Sequence, residues 1–320
     1  MSTLRTIIVT SVISLTTITQ AYALNTRTWV SGKGTDAAGC GPIASPCRTL
    51  QFAHDQTSPG GEIDVLDPAG YGSIIITKAI NIMNGGGIAG VLASAGGNAI
   101  TITAGYSDAV VLRGLTVEGA GVGGNGIVFN SGGALTIANC VVQGFAKTTG
   151  TTGYGIWIKH TSGSPKVTIT ETTASYNDAI GIVVSPSVNG GGYYAVSRTT
   201  VSHNGYGLSV YTADTTGEFR VSVTRSEALN NKGFGFQFWG YPSLTPPTNY
   251  FSAMLSHSSA HGNSPGISIG NYVLLDVTDV VAAQNLGVDF VGNGDNAFLQ
   301  GDGTNRGSKI TVHSQTTTRF

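Results

Sequence analysis

The amino-acid sequence predicts an all-β fold, a right-handed parallel β-helix of about nine coils with three short strands in each coil. A tetrad of the form Gly-apolar-x-apolar returns along the chain, for example as GIVF at Gly126 and GIWI at Gly155. From Ile100 to Ile267, the first apolar residues of successive tetrads are 26 to 31 residues apart. Each interval also contains two further alternating segments, such as KVTITET and TASYN. A period of three short strands is typical of a coil that stacks on itself.

Alignment of the tetrads produces two apolar columns on one strand face, because side chains two positions apart point to the same side of a strand. The first column contains Ile63, Ile100, Ile127, Ile156, Ile182, Leu208, Phe236, Ile267 and Val288. The second contains Val65, Ile102, Phe129, Ile158, Val184, Val210, Phe238, Ile269 and Phe290. Parallel pairing of successive coils would bury both columns in one core. A β-sandwich would not keep this period, and a leucine-rich repeat would need a helix or a Leu ladder in each unit.

An Asn residue closes the third strand of several coils. We expect these residues at sharp corners, because Asn tolerates left-handed backbone angles. They are Asn177, Asn204, Asn231, Asn263 and Asn285.

The first 23 residues have the pattern of a secretory signal peptide. Arg5 supplies a positive start, an apolar stretch follows from Thr6 to Thr19, and Ala21-Tyr22-Ala23 forms a small-x-small cleavage site. A membrane anchor is the alternative, but the apolar stretch is shorter than the roughly 20 residues that a spanning helix needs. The sequence therefore predicts an exported chain that is not inserted in a membrane after cleavage.

The composition favours packed sheet and argues against a nucleic-acid partner. The chain has 47 Gly, 40% hydrophobic residues, 10% charged residues and a net charge of −1. Few charges together with many β-branched residues indicate a buried core rather than a solvated coil. A strongly basic face, which nucleic-acid binding requires, is not expected.

Two of the three cysteines flank a Gly/Pro loop, CGPIASPC, at Cys40 and Cys47. In an exported chain an oxidising compartment permits a disulfide between them, and two free thiols are the alternative. Cys140 ends the alternating run ALTIANC, and we expect it to be a small buried core residue.

The N-terminal passage TWVSGKGTDAAGCGPIASPCRTLQFAHD, followed by GEIDVLDPAGYGSIIITKAINI, resembles the opening of secreted bacterial proteins of the pectin lyase-like superfamily. The repeats extend this resemblance over most of the chain. It implies a short amphipathic helix that caps the first coil, here Pro46 to Gln56 with Leu50, Phe52 and Ala53 on core positions. We therefore divide the chain into a signal peptide (1–23), an N-terminal cap with a disulfide (24–60) and a β-helix domain (61–320).

The resemblance also implies a position for an active groove, on the outer face of the first strand of each coil. The outward residues between the two core columns are Asp64, Thr101, Val128, Trp157, Val183, Ser209, Gln237, Ser268 and Asp289. Two positions further along stand Leu66, Thr103, Asn130, Lys159, Ser185, Tyr211, Trp239, Gly270 and Val291.

These columns contain no recognisable catalytic set. Lyases of the superfamily hold Ca²⁺ with neighbouring acids, but Asp64 and Asp289 are predicted at opposite ends of the stack. Paired carboxylates for glycoside hydrolysis are also missing from the strand starts, where Asp178 is a single acid typical of a turn cap. His257 and His261 are expected to lie at a β corner rather than to share a metal ion. We therefore identify no catalytic residue in the sequence, and we predict no metal and no cofactor.

The remaining outward surface is aromatic and nearly uncharged. Trp157, Tyr211 and Trp239 are predicted to project outward, and Tyr193, Tyr194 and Tyr241 to lie on loops beside them. The outward polar residues near these rings are Lys159, Ser209 and Gln237. Flat rings beside amides and hydroxyls suit stacking on sugars with hydrogen bonds to their hydroxyl groups, and Lys159 suits an acidic sugar. The alternative is that these rings only pack on one another as a side-chain ladder.

The sequence thus predicts a secreted, periplasmic or cell-surface protein that binds extracellular or cell-wall polysaccharide. A polysaccharide lyase or glycoside hydrolase with a divergent site is a second hypothesis. A structural or adhesive surface protein is a third.

Overall fold

A computed structural model describes residues 24–187, 190–213, 218–241, 251–292, 298–301, 303–307 and 310–312. The predicted signal peptide, residues 1–23, lies outside the described residues and stays a prediction. The ranges above contain one helix and thirty-one short strands.

The first third contains β1 (Asn25–Val30), α1 (Leu50–Gln56), β2 (Thr57–Val65), β3 (Ala69–Gly70), β4 (Ile74–Ile76), β5 (Ile80–Met83), β6 (Ala89–Leu92), β7 (Asn98–Thr103), β8 (Ala109–Arg113) and β9 (Leu115–Glu118). The middle contains β10 (Asn125–Ser131), β11 (Ala134–Ala138), β12 (Val141–Gln143), β13 (Tyr154–Ile158), β14 (Lys166–Thr170), β15 (Thr173–Ser175), β16 (Ile180–Val184), β17 (Gly192–Ser197), β18 (Thr200–Ser202), β19 (Tyr206–Ala213), β20 (Phe219–Thr224) and β21 (Glu227–Leu229). The last part contains β22 (Phe236–Tyr241), β23 (Phe251–Ser256), β24 (Ser259–His261), β25 (Ile267–Ile269), β26 (Val273–Thr278), β27 (Val281–Ala283), β28 (Phe290–Gly292), β29 (Phe298–Gly301), β30 (Arg306–Gly307) and β31 (Ile310–Val312).

The strands form three parallel sheets, and each coil of chain contributes one strand to each sheet in turn. Sheet A has the order β1-β2-β5-β8-β11-β14-β17-β20-β23-β26-β29. Sheet B has the order β3-β6-β9-β12-β15-β18-β21-β24-β27-β30, and sheet C the order β4-β7-β10-β13-β16-β19-β22-β25-β28-β31. The predicted parallel β-helix is therefore confirmed. The sheets have ten or eleven strands, so about nine coils was too few.

The predicted core columns are correct in the middle of the stack. Ile156, Ile182 and Leu208 are partners on neighbouring strands of sheet C, and each is at most 1% exposed. The sheet buries this ladder against the inward residues of the other two sheets, which form one continuous apolar cluster.

The two ends of the columns were placed wrongly. Ile63 lies in sheet A opposite Ile82, and Ile74 is the residue that stands opposite Ile100 in sheet C. At the other end Phe290, and not Val288, stands opposite Ile267. Apolar alternation has the same period of two in every sheet, so it does not reveal which sheet a strand joins. A shift of two residues also keeps the same face inward.

The corner between sheets B and C contains a buried ladder of asparagines. The backbone of Asn177 donates to Asn204 Oδ1 at 3.0 Å, and that of Asn204 donates to Asn231 Oδ1 at 3.0 Å. The side-chain amides also bond from one coil to the next, and the ladder continues through Asn263 and Asn285.

The predicted role of these asparagines in left-handed backbone is wrong. In each coil the left-handed residue precedes the Asn, and these residues are Tyr176, His203, Asn230, Gly262 and Gln284. The asparagines are needed instead for the hydrogen bonds of their side chains.

Each of the three sheets has an edge strand at the N-terminal end of the stack, and the cap covers all three edges. On sheet A, the N–H of Trp29 donates to Gly41 O at 2.8 Å and the N–H of Cys47 donates to Trp29 O at 2.9 Å. The predicted disulfide between Cys40 and Cys47 is present, with Cα atoms 5.1 Å apart, and it closes this covering loop. On sheet B, the N–H of Leu50 donates to Tyr71 O at 3.1 Å.

Helix α1 covers the edge of sheet C with two side chains. Gln51 Oε1 accepts from the N–H of Ile75 at 2.8 Å, and His54 Nε2 accepts from the N–H of Thr77 at 3.3 Å. The helix begins later than predicted, because Thr49 caps its first turn.

The predicted core residues of α1 are inside. Leu50 and Ala53 are fully buried, and Phe52 is partly buried against the core. Strand β2 runs across the proposed domain boundary at residue 60, and the division into cap and β-helix stays a prediction.

Candidate functional site

The outer side of sheet C is largely closed in its first predicted column. Val128, Val183, Ser209 and Ser268 are each at most 2% exposed, and Gln237 is 5% exposed. These five residues were predicted to face solvent and are covered, whereas Trp157 and Thr101 of the same column are partly exposed.

A second column lies at the ends of the same strands and is half exposed. Tyr211 on β19 and Trp239 on β22 are partners on neighbouring strands, as predicted. Ser185 directly follows β16 and Lys159 directly follows β13, the two strands that come before β19 in sheet C. We call these four residues, together with Trp157 of the first column, the aromatic strip. Its members each retain partial solvent exposure.

Trp157 sits in a well-defined environment at one end of the strip. The ammonium group of Lys159 lies over its ring, 4.2 Å from the centroid, and the ring of Tyr154 meets it edge to face at 5.1 Å. Its Nε1–H donates to Ser185 Oγ at 2.9 Å. Burial raises the pKa of the Tyr154 hydroxyl. Tyr154 and Ser185 were not among the predicted site residues, although Tyr154 lies on the same strand as Trp157 and Ser185 follows the neighbouring strand.

Tyr211 and Trp239 are held by their neighbours at the other end. The Tyr211 hydroxyl donates to Gln237 Oε1 at 2.6 Å, and the Ser209 hydroxyl donates to the same atom at 3.2 Å. The Trp239 ring lies against the backbone of Gly270, where an added Cβ would be 2.2 Å from Trp239 Cδ2. Ser209 and Gln237 are thus supports beneath the strip, and their predicted exposure to a ligand is wrong.

Two of the three tyrosines expected on loops beside this face lie elsewhere. Tyr193 and Tyr194 belong to β17 of sheet A, where Tyr194 points into the core and Tyr193 points outward. Tyr241 ends β22, and its side chain lies outside the described part.

Asp64 stands in a carboxylate pair that the sequence reasoning missed. It lies on sheet A rather than sheet C, and Arg27 bonds both Asp64, at 2.6 Å, and Glu62, at 2.5 Å. Partial burial raises the pKa of Asp64. The alternation in GEIDV, which places Glu62 and Asp64 on one face, was the available signal. Asp289 is buried on the far side of the stack, where it accepts from Asn285 Nδ2 at 2.9 Å.

Within the described ranges, no group of three or more His, Cys, Asp or Glu residues is arranged to hold a metal ion. His261 Nδ1 instead contacts the carbonyl of Ala283 at 3.1 Å. In the same part of the chain, none of the helices has the length and apolar character to cross a membrane.

Comparison with known proteins agrees with the coil geometry. The family described as "Right handed beta helix region" matches residues 98–238. No curated protein sequence matches the chain. The crystal structure of the GH136 lacto-N-biosidase from Eubacterium ramulus is similar over 89% of this chain and 67% of that one, with 10% identity and a TM-score of 0.51. The crystal structure of pectate lyase Pel9A is similar over 92% of this chain and 80% of that one, with 14% identity and a TM-score of 0.50.

Proposed function

For a chain with the right-handed parallel β-helix fold of the pectin lyase-like superfamily, we propose export from the cell and binding of extracellular or cell-wall polysaccharide through the aromatic strip. The observation that carries this proposal is the arrangement of Trp157, Lys159, Tyr211 and Trp239 along the ends of neighbouring strands. Lys159 and Trp239 are three strands apart, so the strip is about 14 Å long at the usual strand spacing.

The chemistry of the strip suits an acidic polysaccharide that lies parallel to the coil axis. Half-exposed indole and phenol rings offer flat apolar surface to sugar C–H groups. The Lys159 ammonium group retains N–H donors for a sugar carboxylate while it lies over Trp157. Pectate lyase Pel9A and the lacto-N-biosidase are named for action on glycans, which is consistent with a glycan ligand but reflects likeness of fold alone.

Two observations support export. The sequence begins with a signal-peptide pattern, and the Cys40–Cys47 disulfide is typical of proteins that mature in an oxidising compartment.

The test is binding of residues 24–320 to a panel of acidic and neutral polysaccharides, with Trp239→Ala as the main variant. We expect the variant to bind an acidic polysaccharide about 5- to 150-fold more weakly, corresponding to about 1–3 kcal/mol by analogy with the stacking of bases on aromatic rings. Trp29→Ala is the matched control, because Trp29 is a half-buried indole beside Arg27 on sheet A. Equal affinity of Trp239→Ala and the parent, or no binding by the parent, would support the structural or adhesive role instead.

Glycan cleavage is a second candidate function, and the Glu62–Asp64 pair is the observation that favours it. Two carboxylates on one face can act as acid and base, and Asp64 has the raised pKa expected of the acid. Arg27 opposes this role, because its contacts with both groups stabilise their charged forms. The same glycan samples should be assayed for new reducing ends or unsaturated products. Cleavage that disappears in Asp64→Asn would establish the enzyme.

A further inference from the structure

We propose that a second carbohydrate site, specific for a neutral pyranose, lies at the corner between sheets B and C beside Tyr176. This site is on a different part of the coil from the aromatic strip and does not depend on it. The corner residues with left-handed backbone form a column whose neighbouring members include Gly144, Tyr176 and His203. Tyr176 is 63% exposed, one of the most exposed aromatic side chains of the described chain.

One face of the Tyr176 ring is already covered. The His203 ring of the next coil stacks on it, with centroids 4.9 Å apart and planes 16° from parallel. The preceding coil has Gly144 at the equivalent position, so no side chain there continues the stack. The column of rings therefore ends at Tyr176, and the ring face that points toward the preceding coil has no ring of that column stacked on it.

A carboxylate occupies the space directly over Gly144. Glu118 belongs to the coil before Gly144, and its carboxylate accepts from Gln143 Nε2 at 2.8 Å and from the N–H of Ala120 at 3.0 Å. These bonds hold the carboxylate over Gly144, where an added Cβ would be 2.4 Å from Glu118 Oε1. Gly144 also has φ of 75°, so both its conformation and its surroundings exclude a side chain.

This combination selects the class of ligand. A flat ring with one open face stacks on the C–H face of a pyranose, and a fixed carboxylate accepts hydrogen bonds from sugar hydroxyls. The same carboxylate repels a uronate, because like charges at short range raise the free energy of binding. The corner thus suits a neutral sugar, whereas Lys159 in the aromatic strip suits an acidic one.

The experiment compares Tyr176→Ala with Tyr106→Ala in residues 24–320, using cellopentaose as the neutral probe and tri-galacturonate as the acidic probe. Tyr106 is a matched control, since it is 62% exposed and lies on a different loop. We expect Tyr176→Ala to weaken cellopentaose binding at least tenfold and Tyr106→Ala to leave it unchanged. Circular dichroism and the melting temperature establish that both variants are folded.

Two further variants separate this site from the strip. Glu118→Gln keeps the shape of the side chain and removes its charge, so it should increase tri-galacturonate binding, and this gain should disappear when Tyr176→Ala is added. Trp239→Ala should leave cellopentaose binding unchanged whether or not the strip binds acidic glycans. The proposal is overturned if the parent does not bind cellopentaose, or if Tyr176→Ala binds it as tightly as the parent.

Discussion

Asn204 shows how much of this fold depends on single buried amides. Its Oδ1 accepts from the backbone N–H and the side chain of Asn177, and its Nδ2 donates to Ala174 O at 3.0 Å and to Asn231 Oδ1 at 3.1 Å. Asn204 has no solvent exposure, so its hydrogen bonds cannot be replaced by hydrogen bonds to water. The ladder therefore satisfies backbone groups that the sharp corner leaves outside the sheets.

Asn204→Ala should lower the free energy of unfolding by about 3 kcal/mol or more, because each buried group that loses its partner costs about 1–3 kcal/mol. Asn204→Asp is the matched variant, since it keeps the shape and the acceptors but loses both donated bonds. Urea unfolding should rank the parent above both variants at pH 7. A loss below about 1 kcal/mol for Asn204→Ala would show that the ladder is not required.

The Cys140 thiol takes the place of a hydroxyl group in a second ladder of buried side chains. Thr172 Oγ1 donates to Thr170 O at 2.9 Å, Ser226 Oγ donates to Thr224 O at 3.0 Å, and each donor is two residues after its acceptor. Cys140 Sγ contacts Ala138 O in the same way at 3.3 Å, so the thiol occupies a hydroxyl position. Burial raises the pKa of this thiol to about 11.

Thiol titration of the unreduced mature protein should therefore find one reactive cysteine, and only after unfolding. Cys40 and Cys47 are bridged, and Cys140 is buried and protonated at neutral pH. Reduction of the bridge should lower stability by about 2–3 kcal/mol in the loop-entropy description of a short loop. Detection of three reactive thiols in the unfolded, unreduced protein would contradict the bridge.

At the scale of the element, helix α1 acts through His54 as much as through its apolar face. His54 Nε2 must be unprotonated to accept from the N–H of Thr77, and Nδ1 lies 3.0 Å from Asp55 Oδ1. Burial lowers the pKa of His54 below its usual value of 6.5, Asp55 opposes this shift, and Lys78 adds to it. Protonation would place a second N–H against that of Thr77 and expose the edge of sheet C.

The stability of the parent should therefore decrease as the pH falls below about 6.5. In that range the unfolded chain binds a proton at His54 that the folded chain does not. The free energy of unfolding therefore decreases as the pH falls from about 6.5 to the lower pKa of the folded state. His54→Gln retains an acceptor for Thr77 and does not titrate. Urea midpoints at pH 7.5, 6.5 and 5.5 should fall more steeply for the parent than for this variant. His160 is present in both proteins, so a difference between their pH curves is due to His54. Parallel curves would show that His54 does not contribute to the pH dependence of stability.

The elements were predictable to different degrees, for physical reasons. Apolar alternation and a regular period specify which residues face the core, which is why Ile156 and Ile182 were placed correctly. The same alternation does not show which side chains lie against the opposite face, so the burial of Ser209 and Gln237 beside Tyr211 could not be inferred from it. Asp64 was assigned to the wrong sheet, and its partner Glu62 was therefore missed. The disulfide was predicted because Cys40 and Cys47 flank a short Gly/Pro loop in a chain whose first 23 residues have a signal-peptide pattern.

At the scale of the whole molecule, the protein is a rod with one uninterrupted core. The eleven strands of sheet A extend about 48 Å along the axis at the usual strand spacing. Each coil contacts its two neighbours, so stability depends on the interfaces between adjacent coils. A defect in the middle of the stack weakens two such interfaces.

Ile182→Ala tests this dependence, because Ile182 is fully buried between Ile156 and Leu208. Truncation of a core Ile should cost about 2–5 kcal/mol, and Ile182→Asp should cost more because it also buries a charge. Thermal or urea unfolding followed by circular dichroism measures both. The outward residue Thr168 on sheet A is a control, and Thr168→Ala should change stability by no more than about 0.5 kcal/mol. Comparable effects of Ile182→Ala and Thr168→Ala would contradict the core ladder.

The covered N-terminal edges have a consequence for association between partly folded chains. The cap lies next to the first coil in the sequence, so these two parts of the chain can form together. Once residues 31–57 cover β1, β3 and β4, a partly folded chain has open strand edges only where its own next coil will add. Each incomplete rod can then lengthen in one direction, and two incomplete rods cannot pair through their capped ends.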